Sequence, residues 1–217
     1  EGKPILGFAL AGLASGAKAT GDYLGAFRTG ERAVQLFRKS GPQLYLGMAL
    51  ISQGEIALQL GNFTIARDRL SESLTLAQNN GDNYRIAHTL NMQGDLARLE
   101  QNYPEAIIKY EQSEALLRNL NAQQDLASVM CSLGFTCLFL GKVDRAQTLF
   151  RESLNIHKEK QNKRGMIDDL IGLAAIAVMA GLYADGTRLL AAIDAITRLP
   201  SGSTWRATQM EFERYYE

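Results

Sequence analysis

The sequence is poor in most of what would make a small chain chemically conspicuous. It holds two cysteines, four prolines and one tryptophan among 217 residues. Two cysteines cannot build a disulfide framework, which points to a reducing, cytoplasmic setting. Net charge is absent too: 23 Lys+Arg stand against 23 Asp+Glu. That balance argues against gripping nucleic acid or anionic lipid through bulk electrostatics. No run of 18 uncharged apolar residues occurs in the sequence, so no transmembrane helix is expected. With 46% hydrophobic and 21% charged residues, the composition is that of a folded chain able to bury a core. The chain begins Glu1-Gly2-Lys3 without Met, and a piece of a longer protein is the expectation.

Chemical motifs are equally scarce. Gly141-Lys142 is followed by Val143, and Gly12 to Gly16 lacks the Lys-Ser/Thr ending, so neither forms a phosphate-binding loop. Neither His88 nor His157 has a cysteine at metal-ligand spacing. His157, beside Lys158 and Lys160 near a helix end, reads as a solvated helix terminus. Cys131 and Cys137 lie on one expected helix, pointing in different directions, and cannot pair within it. No catalytic set, cofactor or metal is assigned, and no enzyme activity is expected. The basic residues alternate with acids and read as solvated faces with i,i+4 pairing, without a continuous stripe for nucleic acid.

What the sequence does contain is a repeat. At one constant offset Leu10, Leu50, Leu90, Met130 and Leu170 align as a large apolar column. Ala14, Gly54, Gly94, Gly134 and Ala174 form a small column, and Ala17, Ala57, Ala97, Cys137 and Ala177 another. Tyr23, Phe63, Tyr103, Val143 and Tyr183 are mostly aromatic. Gly21, Gly61, Gly141 and Gly181 mark a break inside each unit, with Gln101 as the exception. Self-similarity at such a period is the mark of a stacked repeat array.

Within each unit the apolar spacing is helical: Leu50, Gly54, Ala57 and Leu58 share one stripe, and Phe63, Ala66, Leu70 and Leu74 another. Each unit therefore reads as two antiparallel helices of about 25 Å, given the rise of an α-helix. Helix starts fall near residues 5, 24, 43, 63, 83, 103, 123, 143, 163 and 183. Pro4, Pro42 and Pro104 sit in first turns, and Pro200 stops the last repeat helix. The units run about 3–41, 42–81, 82–121, 122–161 and 162–200, within one domain over 1–217. A further amphipathic helix is expected over 203–216, with Trp205, Met210, Phe212 and Tyr216 as its apolar members, capping the last unit. The apolar run Ile5 to Ala14 also has the look of a secretory signal; its register with the later units favours a buried repeat helix.

Two patterns carry a family resemblance. Gln53-Gly54-Glu55-Ile56-Ala57 with Gly61-Asn62-Phe63-Thr64-Ile65-Ala66, and Leu133-Gly134 with Gly141 to Ala146, resemble tetratricopeptide repeats. The family's small positions map onto Gly54, Ala66 and Ser73, and onto Gly134, Ala146 and Ser153. The usual Trp is absent, and Leu50, Leu90 and Met130 stand there. The longer, 40-residue form is similar to the MalT-like arms of bacterial signalling ATPases and LuxR-type regulators. Arg69 to Leu76 followed by Gly81-Asp82, and the stretch Gly181 to Leu199, look like parts of such arms. The resemblance implies an all-α, right-handed superhelical solenoid and a protein-interaction or sensor module. It also implies a protein or peptide partner, or a small effector, and further domains of a parent chain. A free-standing adaptor is the alternative.

In a curved array the first helix of each pair lines the inner surface. The expected groove positions are Phe8, then Met48, Ile51, Glu55 and Leu58, then His88, Asn91, Asp95 and Arg98. Cys131, Phe135 and Leu138 follow in the fourth unit. An apolar groove with a polar centre suits a peptide, an amphipathic helix or a small effector. The competing reading makes Asp95–Arg98 a surface i,i+3 pair and the apolar residues simple packing.

Overall fold

The computed structural model describes residues 3–197. The expected helix over 203–216 and Pro200 lie outside the described residues. Among those described, secondary structure is entirely helical: α1 (Lys3–Ala19), α2 (Tyr23–Ser40), α3 (Gln43–Gln59), α4 (Phe63–Asn79), α5 (Asn83–Leu99), α6 (Tyr103–Asn119), α7 (Gln123–Phe139), α8 (Val143–Glu159), α9 (Lys163–Met179) and α10 (Tyr183–Thr197). None of these helices is long and apolar enough to cross a membrane. The structure forms two compact units, one within Glu1–Glu100 and the other within Gln101–Glu217.

The turns explain the regular spacing. Nearly every helix is followed by a residue in the left-handed region: Gly21, Gly61, Gly81, Gly141 and Gly181, but also Gln101, Asn121 and Gln161. The next residue caps the following helix. Asp22, Asn62, Asp82, Asn102 and Asn162 each accept a hydrogen bond from the backbone N–H three positions on. The chain leaves a helix through αL and re-enters the next under an Asx cap by the same short path each time, so helices of one length recur at a constant interval. The sequence repeat thus contains a finer one at its turns, half as long. Gly41 departs from it, with φ −101°, because Pro42 follows and takes an extended cap.

Small residues set how closely the helices approach. A Cβ on Gly54 would lie 2.8 Å from the Leu70 side chain, and one on Gly134 would lie 2.8 Å from the Phe150 ring. Phe150 is fully buried between Gly134 of α7 and Gly172 of α9, and a Cβ on Gly172 would collide with its ring. Large residues on even-numbered helices fill notches on odd-numbered ones. In the first repeat the scheme inverts: Gly30 replaces the large residue, and the Gln53 amide occupies its place.

Each odd-numbered helix from α3 to α9 packs against the even-numbered helix before it: α2 on α3, α4 on α5, α6 on α7, and α8 on α9. In the first unit Ala33, Val34 and Phe37 of α2 meet Leu46, Ala49 and Leu50 of α3 in one apolar cluster. The signal-like segment is helix α1. It packs on α2 and buries Gly7, Leu10 and Ala14, but it is not buried all round. The charged residues follow the expected i,i+4 spacing only in part, as in Arg118–Glu114. Several ion pairs instead join successive even-numbered helices: Arg38–Glu72, Arg69–Glu31 and Arg145–Glu111. Arg118 bridges Glu114 on its own helix and Glu152 on α8.

Candidate interaction surface

In the first unit the expected groove residues fall into two sets. Met48 is 54% exposed and Phe8 is exposed as well. That ring meets Tyr45 edge-on, with centroids 4.4 Å apart, and Phe37 at 5.3 Å. Lys18 of α1 donates to Glu55 of α3 at 2.7 Å, and both are half-buried. His88 and Asn91 on α5 are also half-buried. Asn91 Oδ1 is shielded from solvent with no hydrogen-bond partner among the described residues. The other set is buried: Ile51, Leu58, Asp95 and Arg98. Leu58 lies in a cluster with Ala57, Ala66 and Leu96. Asp95 and Arg98 do form the i,i+3 pair, at 3.3 Å, but in the interior and not at the surface.

In the second unit Cys131, Phe135 and Leu138 are all buried. Phe135 packs edge-on against Phe150, with centroids 4.9 Å apart. Burial pushes the Cys137 thiol up from its ordinary range, which keeps it protonated and a weak nucleophile.

Within that unit the structure assembles a polar cluster that the sequence reading does not contain. His157 on α8 is 1% exposed and Asp169 on α9 is 0% exposed. The reading of His157 as a solvated terminus is therefore wrong. Its ring turns inward, and Nδ1 lies 2.7 Å from Asp169 Oδ2. With the carboxylate ionised, Nδ1 is the donor. The Ser153 hydroxyl lies within bonding distance of Asp169 Oδ1 and of the Phe150 carbonyl. The Cys131 thiol also hydrogen-bonds the carboxylate. Burial holds the Asp169 carboxyl above the ordinary carboxylate range, partly offset by the bonds from His157 and Ser153.

The residue types are those of a nucleophile, a base and an orienting acid, but the arrangement differs. Ser153 bonds to the acid and not to the imidazole, so no base is placed to take its proton. His157 Nε2 has no hydrogen-bond partner among the described residues. A Cβ on Gly165 would collide with the His157 ring, so only glycine fits beside it. The cluster therefore fixes the α8–α9 junction. A signal for it existed in the sequence. Position 157 aligns with Phe37, Ala77 and Leu117, all buried, so its column is a core column.

Comparison with known proteins adds the family. The tetratricopeptide repeat model matches residues 45–119 and 85–159. No curated protein matches the chain by sequence. Among solved structures, BtubC from P. vanneervenii superposes with a TM-score of 0.72 at 18% identity, covering 94% of this chain and 84% of that one. A Rap protein complexed with Competence and Sporulation Factor gives 0.78 at 12% identity, covering 95% of this chain and 55% of that one. A signal transduction ATPase with a tetratricopeptide repeat sensor, from Pyrococcus horikoshii, gives 0.74 at 13% identity. It is matched over 97% of this chain but only 30% of its own length. At these identities the likeness is one of fold. The matched segments span more than half of the sequence, and the chain belongs to the tetratricopeptide repeat family, whose stacked helix pairs are protein-interaction modules.

Proposed function

We propose that this chain is the repeat arm of a larger signalling ATPase or transcriptional regulator, and that it binds a protein, peptide or small effector on the odd-numbered helices. The observation that carries the reading is the mixed surface of the first unit. There exposed Met48 and Phe8 stand with the Lys18–Glu55 pair and with half-buried His88 and Asn91. Apolar contact area beside a few fixed polar groups is what recognition of a peptide or small ligand needs. The fold likeness to a repeat sensor inside a much longer ATPase supports the placement within a larger chain. The Rap protein, complexed with Competence and Sporulation Factor, supports binding of a signalling ligand by this fold. The arm would act by binding one conformation of its parent better than another.

Met48→Glu and Asn91→Lys change this surface without touching the buried set. Affinity capture from the host by the wild-type chain and by each variant tests the surface. The expected result is loss of the captured partner in both variants, with unchanged helical content. Retention of the same partner would sink the groove as the binding site. A free-standing adaptor is the second reading, and the full-length gene separates the two. A nucleotide-binding loop upstream supports the arm, and a gene that starts near residue 1 supports the adaptor.

A further inference from the structure

Leu44 and Met48 lie one turn apart on α3, and Tyr84 on α5 stands in register with Leu44. They are 44%, 54% and 49% exposed, large apolar side chains left in solvent. Arg85 of α5 donates to the Leu44 carbonyl at 3.1 Å, which ties the starts of the two helices together. The edge-on contact of Phe8 with Tyr45 continues the apolar strip onto α1. The fold does not demand apolar residues at this register. In the second unit the same positions hold Gln124 and Ser128 on α7, and Arg164 and Asp168 on α9. Nor is the strip an end of the array. Helix α3 packs with both α1 and α5, and a repeat stacked before or after them would touch only its own neighbour. Helices of a longer chain that continued the array would therefore leave Leu44 and Met48 bare.

Two properties specify the occupant. The first is charge. Among the described residues of this inner side and its rim, Lys18 pairs with Glu55 at 2.7 Å, Arg85 with Asp82 at 2.8 Å and Arg98 with Asp95 at 3.3 Å. Three bases are thus matched to three acids. A charged group brought here would lose hydration and would have to compete for a counter-charge already engaged. The second property is openness. A pocket for a small ligand hides most of that ligand from water, whereas these side chains stand about half exposed. A small effector would touch such a strip on one side alone. A polypeptide brings bulk of its own and can cover an exposed apolar patch.

We propose that the strip of Leu44, Met48 and Tyr84 is the docking site for an uncharged, apolar stretch of a partner polypeptide. The inference rests on the functional reading above and narrows its ligand from three classes to one.

The probe is a library of random peptides displayed on phage and selected on the full chain. Enriched peptides are then synthesised and their binding is read by fluorescence anisotropy. The expected shared motif is aliphatic or aromatic and carries no charge. Replacing its central apolar residue with Asp should weaken binding at least about tenfold, and replacing it with Lys should weaken it as well. Affinity should change less than about threefold between low and high salt, because no ion pair forms across the contact. Met48→Ser with Tyr84→Gln installs the residues that the second unit carries, so helical content should be unchanged. Binding should still fall at least about tenfold, the scale of the apolar contact removed. Peptides that need Met48 and Tyr84 yet share a charged motif would overturn this inference and leave the functional reading standing. So would tighter binding of either charged peptide, or failure to enrich any peptide that needs Met48. Enriched peptides indifferent to the double variant would sink the surface itself, and the inference with it.

Discussion

His157 and Asp169 pose the sharpest energetic question at the scale of single residues. Both occupy columns that are otherwise small or apolar: Leu117 stands one unit before His157, and Val129 one unit before Asp169. Desolvating two polar groups is costly, and their mutual attraction offsets that cost only while both remain. His157→Leu with Asp169→Val installs the residues of the preceding unit in both columns. It should hold stability or raise it by about 1–4 kcal/mol in urea unfolding. Asp169→Val alone strands the imidazole and should cost about 3 kcal/mol or more. Gly165→Ala forces the ring out of place and should cost about 1–3 kcal/mol. The pH dependence has an unusual sign. The folded state holds the Asp169 proton more tightly than the unfolded chain does. This group's contribution is therefore full below the ordinary carboxylate pKa and is lost as pH rises through the raised folded value. Thermal melts of wild type and Asp169→Asn across that range should converge at low pH and separate, with Asp169→Asn higher, as pH rises.

At the scale of the element, the turns can be improved where they depart from their own pattern. Ala122 and Lys142 hold the same backbone conformation as the Asx caps but form no side-chain cap bond. Ala122→Asp and Lys142→Asp should each add about 1 kcal/mol, measured as a shift in denaturation midpoint. Gln101 and Gln161 sit at φ 62° and 54°, where a Cβ is strained, and replacing either with Gly should add a few tenths to about 1 kcal/mol. The helices themselves were legible because their apolar period and their glycine columns both repeat. The expected starts fall within about two residues of those observed, the usual uncertainty at helix ends. What the columns hid was the identity of turn and core once substituted. Gln101 keeps the glycine geometry without the glycine, and a histidine in a core column reads by type as a surface residue. Burial of the groove residues Ile51, Leu58, Cys131, Phe135 and Leu138 depends on how neighbouring helices rotate, which a single helix's periodicity does not state.

For the whole molecule, the charge balance of the sequence has a structural counterpart. Arg38–Glu72, Arg69–Glu31 and Arg145–Glu111 tie successive even-numbered helices by partly exposed pairs. Such pairs are screened by salt and individually weak. High salt should therefore lower the unfolding free energy by less than about 1 kcal/mol per pair and leave helical content intact. A larger loss, measured by urea titration at low and high salt, would assign these pairs a greater share of the stability.

The uniform spacing of the turns bears on how such a chain can change length. Exchange between two gene copies at matching columns adds or removes one whole unit and returns every later helix to phase. Copy number is thus free to drift without loss of register. The exception is the segment from Ser153 to Asp169, where Ser153 and His157 bond Asp169 across two neighbouring units. A crossover inside it would leave a buried carboxylate facing an apolar column. The cluster makes that junction a linked block, to be inherited whole or replaced whole.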